Sequence, residues 1–198
     1  MGDLQQHNLQ SFIQDYNCKQ FVETGTGKGT GLSYACSFPF ESLHSIEIVP
    51  ELYEHCVQVF KSDERVSLIH DNSLDGLRTI LSSLSDDPTF FWLDAHFPGA
   101  DFHFNDYDHM KDEKHLHMPL VDEIKLIHSS RPNCADVYII DDLHLYEDGP
   151  FEIHMPEFIE KYGNKNITPA TDLLKDTHVF IRDPRHQGFL ILVPKKNG

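Results

Sequence analysis

The sequence predicts an α/β fold, a mainly parallel sheet that ends in an antiparallel hairpin. Two observations carry this. Seven short apolar runs alternate with segments of helical period, the pattern of strands buried on both faces and joined by crossover helices. The last two runs are separated only by residues 182–188, too few for a crossover helix, so that pair must run antiparallel.

The elements follow in order. The first apolar run, 21–22, leads into a glycine-rich loop from which 30–36 continues as a helix. The second run is 43–48, and Pro50, with its preset φ, suits the first turn of a helix over 51–60. After the third run, 66–69, Leu74, Leu77, Ile80, Leu81 and Leu84 repeat with helical period over 74–84. The fourth run is 90–93. Residues 98–118 then break the rhythm, polar, aromatic and rich in histidine, and read as a lid-like loop insertion. Pro119 opens a helix over 120–129, whose Leu120, Ile124 and Ile127 share a face. The fifth run is 137–140, a helix is expected over 155–162, and 179–181 and 189–193 close the sheet. No repeat or linker interrupts the pattern, so residues 1–198 form one domain.

Composition narrows the function. With 39% hydrophobic and 24% charged residues the chain is of ordinary globular type, but 16 Lys+Arg against 32 Asp+Glu leave a net charge of −16. Such a surface repels nucleic-acid backbones and anionic lipid, so neither nucleic acid nor membrane is the expected partner. Cys18, Cys36, Cys56 and Cys134 contain no C-x-x-C pair and read as free thiols of a reducing compartment. The polar first ten residues lack the apolar stretch of a secretory signal, and Gln6 stands where a myristoylation motif needs Ser or Thr. The expected location is cytoplasmic.

The strongest local signal is Glu23-Thr24-Gly25-Thr26-Gly27-Lys28-Gly29, directly after the first strand. A P-loop is excluded because Gly29, not Ser or Thr, follows Lys28. The dinucleotide pattern fails in both registers, since Thr30 and Leu32 stand where its last glycine belongs. What remains is an acid, alternating glycines, and a second acid, Glu47, at the end of the second strand. In an open α/β sheet both acids reach the crevice at the carboxyl ends of the strands. A carboxylate there accepts both hydroxyls of a ribose, while Glu23 suits an ammonium group and repels phosphate.

This segment resembles the first motif of the class I S-adenosylmethionine-dependent methyltransferases. Glu47, followed by Ile48, matches their ribose-binding acid, and Asp71-Asn72-Ser73 resembles the stretch that contacts the adenine. The resemblance runs from about Phe21 to Val193. It implies a Rossmann-like three-layer sandwich with a seven-stranded, mostly parallel sheet. It also implies a cofactor site of Glu23, Thr24, Gly25, Thr26, Gly27, Gly29, Glu47, Ile48, Asp71, Asn72, Ser73 and Asp94.

A second group of acids follows strands four and five. The fourth run leads into Asp94-Ala95-His96 and the fifth into Asp141-Asp142-Leu143-His144. Neighbouring parallel strands place these carboxylates at one edge, where they repel unless a cation or protons compensate. Hard oxygen ligands suit Mg²⁺. The pattern resembles the metal-dependent O-methyltransferases of the catechol and macrolide-sugar types, which implies Asp94, Asp141 and Asp142 as metal ligands. Phe97 occupies the place of the catechol type's lysine base, so His96 is the nearest substitute, as base, fourth ligand or substrate donor. Asp94 and His96 are the catalytic candidates.

The expected activity is therefore Mg²⁺-dependent O-methylation of a small hydroxylated molecule, a sugar or a phenol, with a homodimer possible. The rivals are a metal-independent small-molecule methyltransferase and a non-catalytic nucleoside-binding module on the same fold. Of the remaining candidates, His115-x-His117 reads as part of a solvated lid with His103, His109, Phe102, Phe104 and Tyr107, and Arg182, Arg185 and His186 as a surface turn.

Overall fold

The computed structural model describes residues 3–104 and 114–196, with side chains described outside 114 and 115. Tyr107, His109 and the side chain of His115 thus lie outside the described residues. Seven strands form one sheet in the order β3-β2-β1-β4-β5-β7-β6. They are β1 (Gln20–Thr24), β2 (Ser42–Glu47), β3 (Val66–His70), β4 (Thr89–Leu93), β5 (Val137–Ile140), β6 (His178–Asp183) and β7 (Phe189–Pro194). The first five are parallel, and β7 lies antiparallel between β5 and β6. This is the expected sheet, terminal hairpin included.

Side-chain alternation divides the core into two layers. Phe21, Leu43, Phe90, Trp92, Val137 and Ile139 face one side. There they pack against α1 (Leu9–Tyr16), α2 (Thr30–Cys36) and α3 (Pro50–Phe60) through Leu9, Leu32, Ala35, Cys56 and Phe60. Val22, Ile46, Phe91, Leu93, Tyr138 and Ile140 face the other side. They meet Leu77 and Ile80 of α4 (Ser73–Leu81), Ile124 and Ile127 of α6 (Leu120–Ser130), and Leu174 of α8 (Thr168–Leu174). Two short helices complete the chain, α5 (Lys114–His117) and α7 (Pro156–Tyr162). No described helix is long and apolar enough to cross a membrane.

The differences from expectation have local causes. Helix α1 is cut from a Gln/Asn-rich segment, yet its half-buried Phe12, Ile13 and Tyr16 pack on the same cluster as Leu9. Helix α4 stops at Leu81, and Ser82 at its C-cap donates its backbone N–H to Arg78 and Ile80. The 98–118 segment is not wholly irregular, for Ala100–Phe102 forms a 3-10 turn and α5 precedes Pro119. Helix α8 was not anticipated at all. It begins with Pro169 in its first turn and buries Ala170 and Leu174.

Candidate functional site

The glycine loop turns sharply where β1 ends. Gly25, Gly27 and Gly29 have φ of 83°, 55° and 79°, a region in which a side chain is strained. At Gly25 space is closed as well: a Cβ would stand 2.7 Å from the Asp94 carbonyl oxygen. The amides of Gly25 and Thr26 donate to the Ile46 carbonyl at 3.0 and 3.1 Å, which ties the loop to β2. Glu47 completes the tie. Its Oε2 accepts from the Gly27 amide at 2.7 Å and its Oε1 from the Val49 amide at 2.8 Å.

Glu23 lies beneath the loop, 1% exposed, and accepts a 2.6 Å hydrogen bond from Ser45, whose hydroxyl also meets Thr26 at 2.5 Å. Burial pushes the Glu23 carboxyl up to about 8, against the pull of Ser45. Burial also raises Glu47, although the backbone N–H groups it accepts oppose the shift.

One crevice joins these residues. Glu23, Gly25, Thr26, Gly27, Glu47 and Ile48 line it, as do Asp71, Asn72 and Ser73 from the β3–α4 junction and Asp94 and His96 from the β4 end. Gly29 packs outside it against Phe60 and Cys56, and Thr24 is fully buried with its side chain away from the lining. Asn72 also has a structural task. It caps α4, accepting from the Asp75 amide at 3.0 Å.

The acids after β4 and β5 meet as the register requires, since Leu93 pairs with Ile140. The potential ligand atoms that come within 4.8 Å of one another belong to Asp94, His96 and Asp142. His96 joins the two acids: its Nε2 lies 2.6 Å from Asp142 and its Nδ1 3.5 Å from Asp94. Asp141 is outside this group, and His96 stands where the expected set had Asp141. Asp142, which belongs to the group, has a left-handed φ of 50°.

The electrostatics are those of a crowded acidic pocket. Burial, then Asp142, drives the Asp94 carboxyl well above the ordinary range, and burial with the same neighbour does so for Asp141. Burial disfavours the charged forms of His96 and Asp142, yet their mutual attraction outweighs it, raising the imidazole and lowering the carboxyl. Asp142 Oδ1, Asp141 Oδ2 and His144 Nε2 are buried without hydrogen-bond partners.

Sequence reasoning passed over Glu123. It is 1% exposed on α6, its Oε1 has no hydrogen-bond partner, and burial pushes its carboxyl up to about 7 against the nearby Ser73 and Thr24 hydroxyls and His96. A signal existed: Glu123 shares the helical stripe of Leu120, Ile124 and Ile127, where an acid is out of place. Among the described residues, His103 and His117 join no group with the acids: His103 is exposed, and His117 packs on Phe97 at 5.3 Å between rings. Arg182 binds Glu147 through two hydrogen bonds and Arg185 binds Asp183, so the hairpin turn is a surface feature as expected.

No protein-family model and no curated protein matches the sequence. Solved structures do match the fold. The S-adenosylhomocysteine-bound methyltransferase PaMTH1 of Podospora anserina is 16% identical with a TM-score of 0.64, covering 93% of this chain and 75% of its own. An O-methyltransferase of Bacillus cereus in complex with S-adenosylhomocysteine gives 14%, 0.59, 98% and 82%. The O-methyltransferase TomG of Streptomyces achromogenes, in complex with S-adenosylmethionine, gives 17%, 0.56, 94% and 78%. The chain therefore has the fold of the class I S-adenosylmethionine-dependent methyltransferases, a Rossmann-like three-layer sandwich.

Proposed function

We propose that this chain is an S-adenosylmethionine-dependent methyltransferase that acts on an oxygen of a small molecule, a sugar or a phenol, with a divalent cation beside the reacting atoms. The observation that carries the reading is the shared crevice, with the glycine loop and Glu47 at one part of its lining and Asp94 and His96 at another. Each Glu47 oxygen has taken one backbone N–H and keeps a lone pair for a ribose hydroxyl. Glu23 offers a carboxylate to an amino-acid ammonium group, and Ile48, Asp71, Asn72 and Ser73 form the wall for the adenine. S-adenosylmethionine supplies an electrophilic methyl on a sulfonium. That the fold neighbours bind this cofactor or its demethylated product supports the reading.

The residues present fit a cation. Two carboxylates and an imidazole offer ligand atoms within 4.8 Å of one another, and Asp142 holds a buried oxygen with no hydrogen-bond partner. The carboxylates suit Mg²⁺, and the imidazole adds affinity for Mn²⁺. Asp94, His96 and Asp142 would hold such an ion, which would supply a lowered pKa to an acceptor hydroxyl. Asp142 fixes the orientation of His96, and Asp94, whose carbonyl abuts Gly25, sets the spacing between the acidic group and the cofactor loop. Alignment of the reacting atoms is the chain's main contribution to rate.

The 2.6 Å His96–Asp142 contact favours one second reading, in which His96 takes the acceptor proton without metal and Asp142 stabilises the imidazolium. Transfer of a labelled methyl group to phenolic and sugar acceptors, with Mg²⁺, Mn²⁺ or chelator, separates the two. Turnover abolished by chelator and restored by metal supports the first reading. Turnover that ignores chelator but disappears in His96→Ala supports the second, and no transfer to any acceptor contradicts both.

A further inference from the structure

Beyond the acids and glycines, one side chain controls the space they enclose. Phe102, at the end of the 3-10 turn Ala100–Phe102, lines the crevice and lays its ring on the glycine loop. A Cβ on Gly27 would come 2.9 and 3.1 Å from two atoms of that ring. The lack of a side chain at Gly27 therefore admits the Phe102 ring to the loop.

The segment that carries the ring is anchored at its start and hydrogen-bonded within its turn. Phe97 and Ala100 are buried, and Phe97 packs on the rings of Phe158 and Tyr162 at 5.4 and 5.5 Å. Within the turn, Phe102, His103 and Phe104 donate their amides to Gly99 and Ala100 at 3.2, 3.1 and 3.0 Å. Left-handed residues flank it, Phe97 at 43° and Gly99 at 72° before the turn and His103 at 62° after it, and such positions absorb hinge rotation. The ring is held to the loop by contact with Gly27 and by the Lys28 Nζ, 5.2 Å from its centroid. A cation–π contact of this exposed kind is weak.

We propose that Phe102 is the gate of the cofactor crevice: a nucleoside that is to contact the loop at Gly27 enters only when the turn bearing this ring lifts. The inference rests on the cofactor reading above and adds to it a residue that sets the rate of entry. Apparent affinity falls by the fraction of molecules that are open, so removing the ring speeds binding without creating a contact.

Trp92 is the only tryptophan and lines the crevice, so its fluorescence reports occupancy. The experiment is stopped-flow mixing of the full-length protein with S-adenosylhomocysteine, with calorimetry for affinity and circular dichroism to confirm that the variants are folded. In the wild type the observed rate should level off as ligand is raised, because opening limits it. In Phe102→Ala it should rise in proportion to ligand and be at least about tenfold faster. Lys28→Ala, which removes only the cation, should accelerate binding by about two- to fivefold. Equal association rates in wild type and Phe102→Ala, with clear binding in both, overturn the gate alone. Weaker binding in Phe102→Ala that comes entirely from faster release makes the ring a wall and also overturns it. No binding to either protein overturns the cofactor reading, and the gate with it.

Discussion

Glu23 couples the crevice to stability. Its carboxyl has an ordinary value of 4.5 and is pushed up to about 8 in the folded chain by burial. Between those values the folded state binds a proton that the unfolded state releases, so stability falls as pH rises from about 4.5 to about 8. Glu23→Gln removes this dependence. The difference in Tm between variant and wild type, measured without ligand, should shift in the variant's favour from pH 5 to pH 8; parallel curves would contradict the assignment. Glu47 acts differently, because it holds the Gly27 amide and lines the crevice where the proposed reading puts the ribose. Glu47→Ala should weaken S-adenosylhomocysteine binding by tenfold or more in calorimetry and leave the far-ultraviolet spectrum unchanged. Both acids were legible because each closes a strand beside the glycine loop. The Asp94–His96–Asp142 grouping was only partly legible. Strand ends place the acids, but which of the two neighbouring aspartates meets His96 leaves no mark in the residue pattern.

At the scale of elements, the loop between β1 and α2 depends on its first glycine. Gly25→Ala meets the Asp94 carbonyl at 2.7 Å in a backbone conformation hostile to side chains, so the loop must move away from β4. We expect loss of S-adenosylhomocysteine binding in calorimetry with the sheet retained by circular dichroism. The opposite end of the sheet shows what stability alone requires. Arg131 and Asp136 are fully buried there, bonded at 2.9 Å, and Arg131 also donates to the Ser85 and Asp87 carbonyls at 2.6 and 2.8 Å. Arg131→Ala strands the Asp136 charge and should cost about 3–5 kcal/mol in urea denaturation. A cost below 1 kcal/mol, within the usual range of an exposed pair, would contradict this account. The apolar strands were legible because β4 and β5 are buried on both faces and read as continuous apolar runs, while β1, buried too, is marked by Phe21-Val22 before the glycine loop. Helices α1 and α8 were not, since each rests on a few apolar residues in polar surroundings and owes its place to packing on the sheet.

For the whole molecule, the charge of −16 divides into a general surface and a local concentration. Glu23, Glu47, Asp71, Asp94 and Asp101 all line one crevice, and Lys28 is the lysine among its lining residues. That imbalance suits a sulfonium, an ammonium and a divalent cation, and it disfavours anionic acceptors. The parallel sheet creates the crevice by bringing the ends of β1, β2, β3 and β4 to one edge, with the end of β5 behind His96. Asp142→Asn should abolish Mn²⁺ binding followed by electron paramagnetic resonance while S-adenosylhomocysteine still binds; equal loss of both would deny the acidic group a separate role. The account as a whole stands on the cofactor. Its most direct test is calorimetric titration of the purified chain with S-adenosylmethionine. The account predicts saturable binding of one cofactor per chain, weakened by Glu47→Ala and abolished by Gly25→Ala. A titration with no binding heat across temperatures, and no ligand-induced rise in Tm, would contradict it.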